Sequence, residues 1–207
     1  GSRPALVWRF EAPVVAIAST PVGGGIGPRH WIVNAQVDLD YARTDVHAHL
    51  GAIAAELGCT GPGVGFLTAA AVAGVASAVD GGVAAHATVG LRHPTLAAAP
   101  AGEPSAPAVG TINVVAGVPV RLTEAALVNA VVTATEAKVQ ALADHGVGAT
   151  GTASDAVCVV CPTTGTAEEF AGPRAPVGAG LARAVHAAVA AGTVAWRRAQ
   201  PAGEPAP

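Results

Sequence analysis

The chain alternates short apolar runs with polar segments, and most of the runs end near a glycine, a proline or an aspartate. Short apolar or alternating runs bounded by such residues are typical of β-strands. Asp80-Gly81-Gly82 between two of these runs predicts a hairpin turn. The predicted strands are Val14–Ala18, His30–Val37, Gly63–Thr68, Val75–Val79, Val83–Leu91, Gly110–Val118 and Ala156–Cys161.

Three longer stretches repeat their apolar residues at helical spacing. Asp45 and Thr123 are suited to cap the first two helices, and Gly58 is suited to end the first. The predicted helices run from Asp45 to Leu57, from Thr123 to His145 (the longest) and from Gly178 to Arg198. This order of elements predicts an α+β fold with a mixed or antiparallel sheet and packed helices. A three-layer α/β/α arrangement stays open.

Length and composition narrow the choice of partners. The 207 residues suit one domain over 1–207, with an N-terminal segment at 1–12 (Gly1-Ser2 resembling a cloning scar) and a disordered tail at 200–207. The net charge of −3 with 12% charged residues provides no basic stripe, which argues against nucleic acid as a partner. No uninterrupted apolar stretch is long enough to predict membrane insertion. We expect a cytoplasmic protein; whether it forms a homo-oligomer stays open.

The cysteines and histidines do not predict a metal site. Cys158 and Cys161 lie three apart on a predicted strand, so their side chains are expected on opposite faces, where they neither close a disulfide nor share a metal. His47 and His49, two apart on a helix, diverge as well. We therefore predict no structural or catalytic metal.

Uncharged polar residues occur where a water-exposed strand face usually carries charged ones. On three predicted strands they share one face, as His30, Asn34 and Gln36, as His86 and Thr88, and as Thr111 and Asn113. Neutral amides and hydroxyls at such positions either satisfy one another in a buried network or face a neutral, amide-rich ligand. Both interpretations stay open at this point.

The second predicted helix carries a polar stripe of Asn129, Thr133, Glu136 and Gln140. The stripe is either the solvated side of a surface helix or a set in which Glu136, the sole acid, acts as a general base. Lys138 lies about 200° around the helix from Glu136. We therefore leave Lys138 out of the predicted chemistry.

Two loops also carry candidate chemistry. Thr150–Asp155 holds three hydroxyls and a carboxylate, which either bond their own backbone or provide a hydroxyl nucleophile or water activated by Asp155. The glycine run Gly23–Gly27 lacks the lysine and the following helix of a phosphate-binding loop. It predicts a tight turn or a close backbone approach.

Taken together, these segments resemble the adenosylcobinamide amidohydrolase (CbiZ) family over roughly residues 14 to 192. The stretches that carry the resemblance are Ser19–Gly27, Trp31–Gln36, Glu56–Gly58, Gly61–Gly65, Leu67–Ala70, Ala87–Leu91, Gly110–Asn113, Leu127–Ala130, Ala134–Lys138, Ala141–Leu142 and Gly151–Ala156. The resemblance implies hydrolysis of the amide that joins (R)-1-amino-2-propanol to the corrin ring of adenosylcobinamide, yielding adenosylcobyric acid. The corrinoid is then the substrate, and no cofactor is implied.

The roles within this reaction are hypotheses of our own. Amide hydrolysis needs a nucleophile, donors to the developing oxyanion and a proton for the leaving amine. We expect water activated by Glu136 or Asp155, with Asn34 or Asn113 donating to the oxyanion; an acyl-enzyme on Thr152 or Ser154 is the rival. The expected substrate-binding residues are Gly24, Gly25, His30, Gln36, Thr88, Thr111, Asn129 and Thr152. A non-catalytic corrinoid binder and an amidase for another substrate remain alternatives.

Overall fold

The computed structural model describes residues 3–100 and 110–200. The predicted scar at residues 1–2, most of the predicted loop at 99–109 and the predicted tail beyond residue 200 lie outside this part of the chain. The strands are β1 (Ala5–Ala18), β2 (Gly25–Gln36), β3 (Gly63–Thr68), β4 (Ala76–Asp80), β5 (Val83–Val89), β6 (Pro94–Thr95), β7 (Ile112–Gly117), β8 (Arg121–Leu122), β9 (Gly151–Thr152), β10 (Ala156–Cys161) and β11 (Ala167–Glu168). The helices are α1 (Val46–Glu56), α2 (Glu124–Asp144) and α3 (Pro176–Arg198), with a single 3-10 turn at Val72–Gly74.

The main sheet has seven strands in the order β3-β2-β1-β10-β7-β5-β4. The pairs β2–β3 and β10–β7 are parallel, and the other neighbours are antiparallel. This confirms the prediction of an α+β fold with a mixed sheet. The short strands form two separate pairs, β11 with β8 and β6 with β9.

The strand β1 is far longer than the predicted Val14–Ala18. Its pairing with β2 shifts register between Arg9 and Val14, which marks a β-bulge. Its second half lies between β2 and β10, whereas the residues before the bulge pair with β2 alone. Arg9, Glu11 and Pro13 interrupt the apolar pattern there, so the sequence pattern did not predict the first half as a strand. A bulge bends a strand and increases its twist, so this one curls the sheet.

The two faces of the sheet carry separate cores. On one face β5, β7 and β10 pack alternate residues against α2 and α3. The opposite face holds a second core that includes Ile32, Phe66 and Cys158. Cys161 belongs to the first core, so the prediction that Cys158 and Cys161 point to opposite faces is confirmed. All three cysteines are free.

The helices begin and end close to the predicted residues. Thr123 caps α2 by accepting a hydrogen bond from the Ala126 N–H, whereas Asp45 makes no side-chain cap to α1. The prediction that the second helix is the longest is wrong: α3 has 23 residues and α2 has 21. In the described part of the chain, α3 alone is long and apolar enough to cross a membrane, and half of that stretch is buried against the sheet. We interpret α3 as a core helix.

Candidate active site

The curled sheet brings together three polar side chains that are far apart in the sequence. Asn34 of β2 donates to Thr88 Oγ1 of β5 at 3.0 Å, and its own oxygen accepts from Asn113 of β7, also at 3.0 Å. All three residues are at most 2% exposed. Among the two interpretations of the polar strand faces, these three residues fit the buried network.

One end of this asparagine network is left open. Asn113 Nδ2 donates to Asn34 Oδ1 and, at 2.9 Å, to the carbonyl oxygen of Leu67. A primary amide has two N–H groups, so both are committed. Asn113 Oδ1 has no donor among the described residues, and Asn113 lines a cavity. The hypothesis that Asn113 donates to an oxyanion therefore does not fit: this residue offers an acceptor.

The cavity occupies about 210 Å³ between the sheet face that carries Phe66 and the segment that leads into α1. Phe66, Thr68 and Asn113 are its most buried lining residues, at 1%, 1% and 2% exposure. Ser154, at its rim, is exposed. The lining residues are Thr20, Pro21, Val37, Tyr41, Val46, Phe66, Leu67, Thr68, Ala69, Thr111, Asn113, Ser154 and Ala156. None of the described residues in this lining carries a charge.

Beside the cavity, Asp155 is the centre of a second polar cluster. Its Oδ1 accepts from the Ile112 N–H at 2.9 Å and from the Thr152 hydroxyl at 2.6 Å. Its Oδ2 accepts from the Thr152 N–H at 3.1 Å and from Lys138 Nζ at 2.5 Å. Three of these donors are N–H groups, and the fourth, the Thr152 hydroxyl, shares its single hydrogen with the Gly110 oxygen. A carboxylate engaged in this way has little capacity left to take a proton from water. The geometry therefore favours a positioning role for Asp155 over the expected role of general base.

Lys138 corrects the sequence analysis, which left it out. Its ammonium forms a buried ion pair with Asp155, with side-chain exposures of 8% and 11%. Gly151 makes room for this pair, because a Cβ at that position would lie 2.5 Å from Lys138 Nζ and would clash with Asp155 Oδ2. Lys138 is the only lysine of the chain, and that singularity was the available signal.

Two hydroxyls of the same loop differ in what they face. Thr152 lies within 2.7 Å of the Gly110 carbonyl oxygen as well as against Asp155, so its hydroxyl is held inside the loop. Ser154 is exposed at the cavity rim, where its hydroxyl bonds Thr111 Oγ1 at 2.9 Å and the Gly110 oxygen at 3.1 Å. Of these two candidate nucleophiles, Ser154 is the one that reaches the cavity.

The polar stripe on α2 does not converge on the cavity. Glu136 and Gln140 are exposed, on the side of the helix away from buried Lys138. Asn129 accepts from the Ala171 N–H, and buried Thr133 donates to the Ala171 oxygen, so both fasten that segment to the helix. The hypothesis that Glu136 activates water at the cavity therefore does not fit this geometry. Neither Glu136 nor Asn129 lines the cavity.

Among the remaining expected binding residues, Thr111 lines the cavity and the others do not. Gln36 accepts from the Val72 N–H at 3.0 Å, a structural contact. His30 lines a different pocket of about 180 Å³ beside Arg9 and Cys59. Gly24 and Gly25 are exposed just after Thr20 and Pro21, which do line the cavity.

The glycine run makes the close backbone approach that was one of its two predicted roles. Gly23 has a φ of +70°, and a Cβ there would overlap the carbonyl oxygen of Gly63. The run thereby packs against β3, where Val22 bridges Gly65. It fixes the position of Thr20 and Pro21 at the cavity.

Sequence reasoning missed a pair formed by Tyr41, which lines the cavity, and His49 beside it. The hydroxyl of Tyr41 lies 2.8 Å from His49 Nδ1, with the rings stacked at 5.5 Å between centroids. His49 is 8% exposed. Its burial, and then the positive charges of Arg43 and Arg3, lower its pKa from the ordinary value of 6.5. The imidazole is therefore neutral at pH 7 and able to accept a proton. Tyr41 is the only tyrosine of the chain, which was the available signal.

No group of three or more His, Cys, Asp or Glu side chains comes together within the described ranges in a way that could hold a metal ion. The described side chains near the cavity carry hydroxyl, amide, imidazole and carboxylate groups. Such groups can transfer protons and form hydrogen bonds to a neutral ligand.

Comparison with known proteins agrees with the resemblance found in the sequence. The family model described as adenosylcobinamide amidohydrolase matches residues 1–201. A curated relative from Halobacterium salinarum, named adenosylcobinamide amidohydrolase, is 39% identical over 121 residues, which cover 54% of this chain and 50% of the relative. The chain thus spans about half the length of that relative. Because the family model matches residues 1–201 of the 207, the chain belongs to the adenosylcobinamide amidohydrolase family.

Proposed function

We propose that this protein hydrolyses the amide between (R)-1-amino-2-propanol and the corrin ring of adenosylcobinamide, giving adenosylcobyric acid for corrinoid salvage. Membership of an amidohydrolase family supports a hydrolase. The observation that supports this substrate is the uncharged cavity, which is lined by hydroxyls, one amide oxygen and apolar side chains. A neutral amide arm that ends in a hydroxyl and a methyl group matches that lining.

The size of the cavity fits the arm and excludes the ring. Its 210 Å³ is the volume of about seven liquid waters at about 30 Å³ each. Sites that enclose a drug-sized ligand occupy roughly 300 to 1,000 Å³. The macrocycle therefore stays outside, and the scissile amide sits at the rim beside Ser154 and Thr111.

The nucleophile in this proposal is water, and its base is the Tyr41–His49 pair. As water attacks the amide carbon, it gives a proton to Tyr41 Oη while the Tyr41 proton moves to His49 Nδ1, 2.8 Å away. This relay forms no free phenolate. The return of the same proton, as the C–N bond breaks, supplies the leaving amine. The Ser154 hydroxyl, which donates to the Gly110 carbonyl oxygen in this structure, turns toward the oxyanion at the rim and donates to it during the reaction.

Asp155 and Lys138 act indirectly in this scheme. Their ion pair, together with the bonds from Asp155 to Thr152 and Ile112, fixes the loop that presents Ser154 and the start of the strand that presents Thr111 and Asn113. We propose that the reaction needs no metal and takes place in the cytoplasm. Turnover that survives dialysis against a chelator, without added metal, is the expected result.

Incubation of the purified protein with adenosylcobinamide tests the function. We expect released aminopropanol, a loss of at least about 100-fold in kcat for Tyr41→Phe, and full turnover for Glu136→Gln. An acyl adduct on Ser154 or Thr152 would contradict the water mechanism. A spectral shift of the corrinoid without product would identify a binding protein, and no binding at all would point to another amide substrate.

A further inference from the structure

We propose that Asn113 is the specificity-determining residue of the cavity, and that its oxygen accepts a hydrogen bond from the hydroxyl of the departing aminopropanol. The assignment of that hydroxyl to the leaving amine rests on the proposed function. The preference for a ligand that donates a hydrogen bond at this point rests on the asparagine network alone.

The direction of the Asn113 amide is fixed by a chain of contacts. The carbonyl oxygen of Leu67 can only accept, so the atom 2.9 Å from it must be the nitrogen of Asn113. That nitrogen also faces Asn34, whose near atom is then its oxygen, at 3.0 Å. The nitrogen of Asn34 consequently faces the hydroxyl of Thr88.

A flipped Asn113 amide would place its oxygen against two other oxygens, those of Leu67 and Asn34. Both hydrogen bonds would become repulsive contacts at a site that is 2% exposed. Buried polar groups without partners are costly, so the network holds the amide in one orientation. The oxygen that remains is aimed at the cavity and can only accept.

The position of Asn113 selects the end of the arm rather than its amide. Ser154 is exposed at the rim, whereas Asn113, Phe66 and Thr68 are the most buried residues of the lining. The substrate arm must enter with its free end first because the ring cannot follow it. That free end carries the hydroxyl and the methyl group, which suit the Asn113 oxygen and the Phe66 ring respectively.

A ligand without the hydroxyl would leave the Asn113 oxygen desolvated and unpaired. Sites built to bond a substrate hydroxyl discriminate strongly against analogues that lack it. For one neutral hydrogen bond we expect a preference of roughly tenfold.

The test uses two small amides that differ only in this group, N-(2-hydroxypropyl)acetamide and N-propylacetamide. Each is titrated into the intact protein, and binding is followed by NMR chemical shifts. We expect the hydroxylated amide to bind roughly tenfold more tightly. Equal affinities, or binding of neither compound, would overturn the proposal even if no variant were made.

Two variants sharpen the result. In Asn113→Ala we expect the ratio of the two affinities to fall to about one, with the NMR spectrum reporting that the fold is intact. In Ser154→Ala, at the rim of the same cavity, we expect the ratio to stay near tenfold. A ratio that survives in Asn113→Ala would assign the selectivity to another residue and overturn the proposal.

The outcome is separable from that of the proposed function. A preference for the hydroxylated amide with no cleavage of adenosylcobinamide would refute the hydrolase and leave the role of Asn113 in place. Cleavage of adenosylcobinamide with equal affinities for the two amides would support the hydrolase and refute the role of Asn113.

Discussion

The two buried polar clusters of this protein differ in their charge and in whether every hydrogen-bonding group has a partner. Every acceptor position of the Asp155 carboxylate is occupied, and one of its donors is the ammonium of Lys138. The asparagine network of Asn34, Thr88 and Asn113 ends in an oxygen that has no protein donor in the described chain. We infer two roles from this difference. The cluster whose hydrogen-bonding groups all have protein partners stabilises the fold, whereas the network with an unpaired oxygen binds a ligand.

The comparison also explains why the carboxylate is the weaker catalytic candidate. A buried charge is retained at a cost that its partner and hydrogen bonds must offset. Asp155 meets that condition through Lys138, Thr152 and the Ile112 N–H, and any proton that it took up would break part of this set. The asparagine network carries no charge, so it can leave one acceptor open at a smaller cost.

The largest effect is expected from Asp155→Asn. The change leaves the Lys138 ammonium buried against a neutral amide, and removing one partner of a buried pair costs about 3–5 kcal/mol of unfolding free energy. Urea unfolding measures it. The matched control is Glu136→Gln, which alters an exposed acid and should stay within about 0.5 kcal/mol of the parent. If Asp155→Asn were as stable as the control, the saturated cluster would not be structural.

A smaller effect is expected from Gly151→Ala, which tests the same cluster from the backbone side. The added Cβ would meet Lys138 Nζ at 2.5 Å and press on the Asp155 carboxylate, at a cost of about 1–3 kcal/mol. Gly148→Ala is the control, because a Cβ there meets nothing within 4 Å. Thermal unfolding of the two variants compares them. Equal melting temperatures would show that the ion pair can move aside.

The prediction for Tyr41 and its partner His49 concerns the pH dependence of kcat rather than the stability of the fold. His49 must be neutral to accept the Tyr41 proton, so kcat should be constant above the His49 pKa and fall as pH drops through it. Burial first, then Arg43 and Arg3, lower that pKa below 6.5, while Asp45 and Glu56 oppose the shift. The acid limb should therefore lie below pH 6.5. An acid limb with its midpoint above pH 6.5, or an acid limb that persists in His49→Gln, would contradict the relay.

The sequence predicted the elements of the fold well where the local pattern was continuous. The strands Gly63–Thr68 and Ala156–Cys161 agree with the structure residue for residue. The first half of β1 was missed because it pairs on one side only and carries Arg9, Glu11 and Pro13, which break the apolar alternation. The resulting curl of the sheet was therefore not predictable from local pattern.

The candidate site was predictable in residue type and less so in role. Asn34, Thr88, Thr111 and Asn113 were selected because neutral polar residues on strands are unusual, and they do lie at or beneath the cavity. The sequence favoured Glu136 and left Lys138 out, whereas in the structure Lys138 pairs with Asp155 and Glu136 is exposed. Helical spacing established that they point apart, but it carries no information on which side of α2 faces the sheet.

The sequence by itself determined the order of strands and helices and the family, because both depend on local spacing and on residues read in order along the chain. Only the tertiary structure decided which of these residues act together. Asn34 and Asn113 are separated by 79 residues, and Leu67 and Asn113 by 46. The direction of the Asn113 oxygen depends on both contacts, and hydrogen-bond direction is a property of atoms brought together by folding.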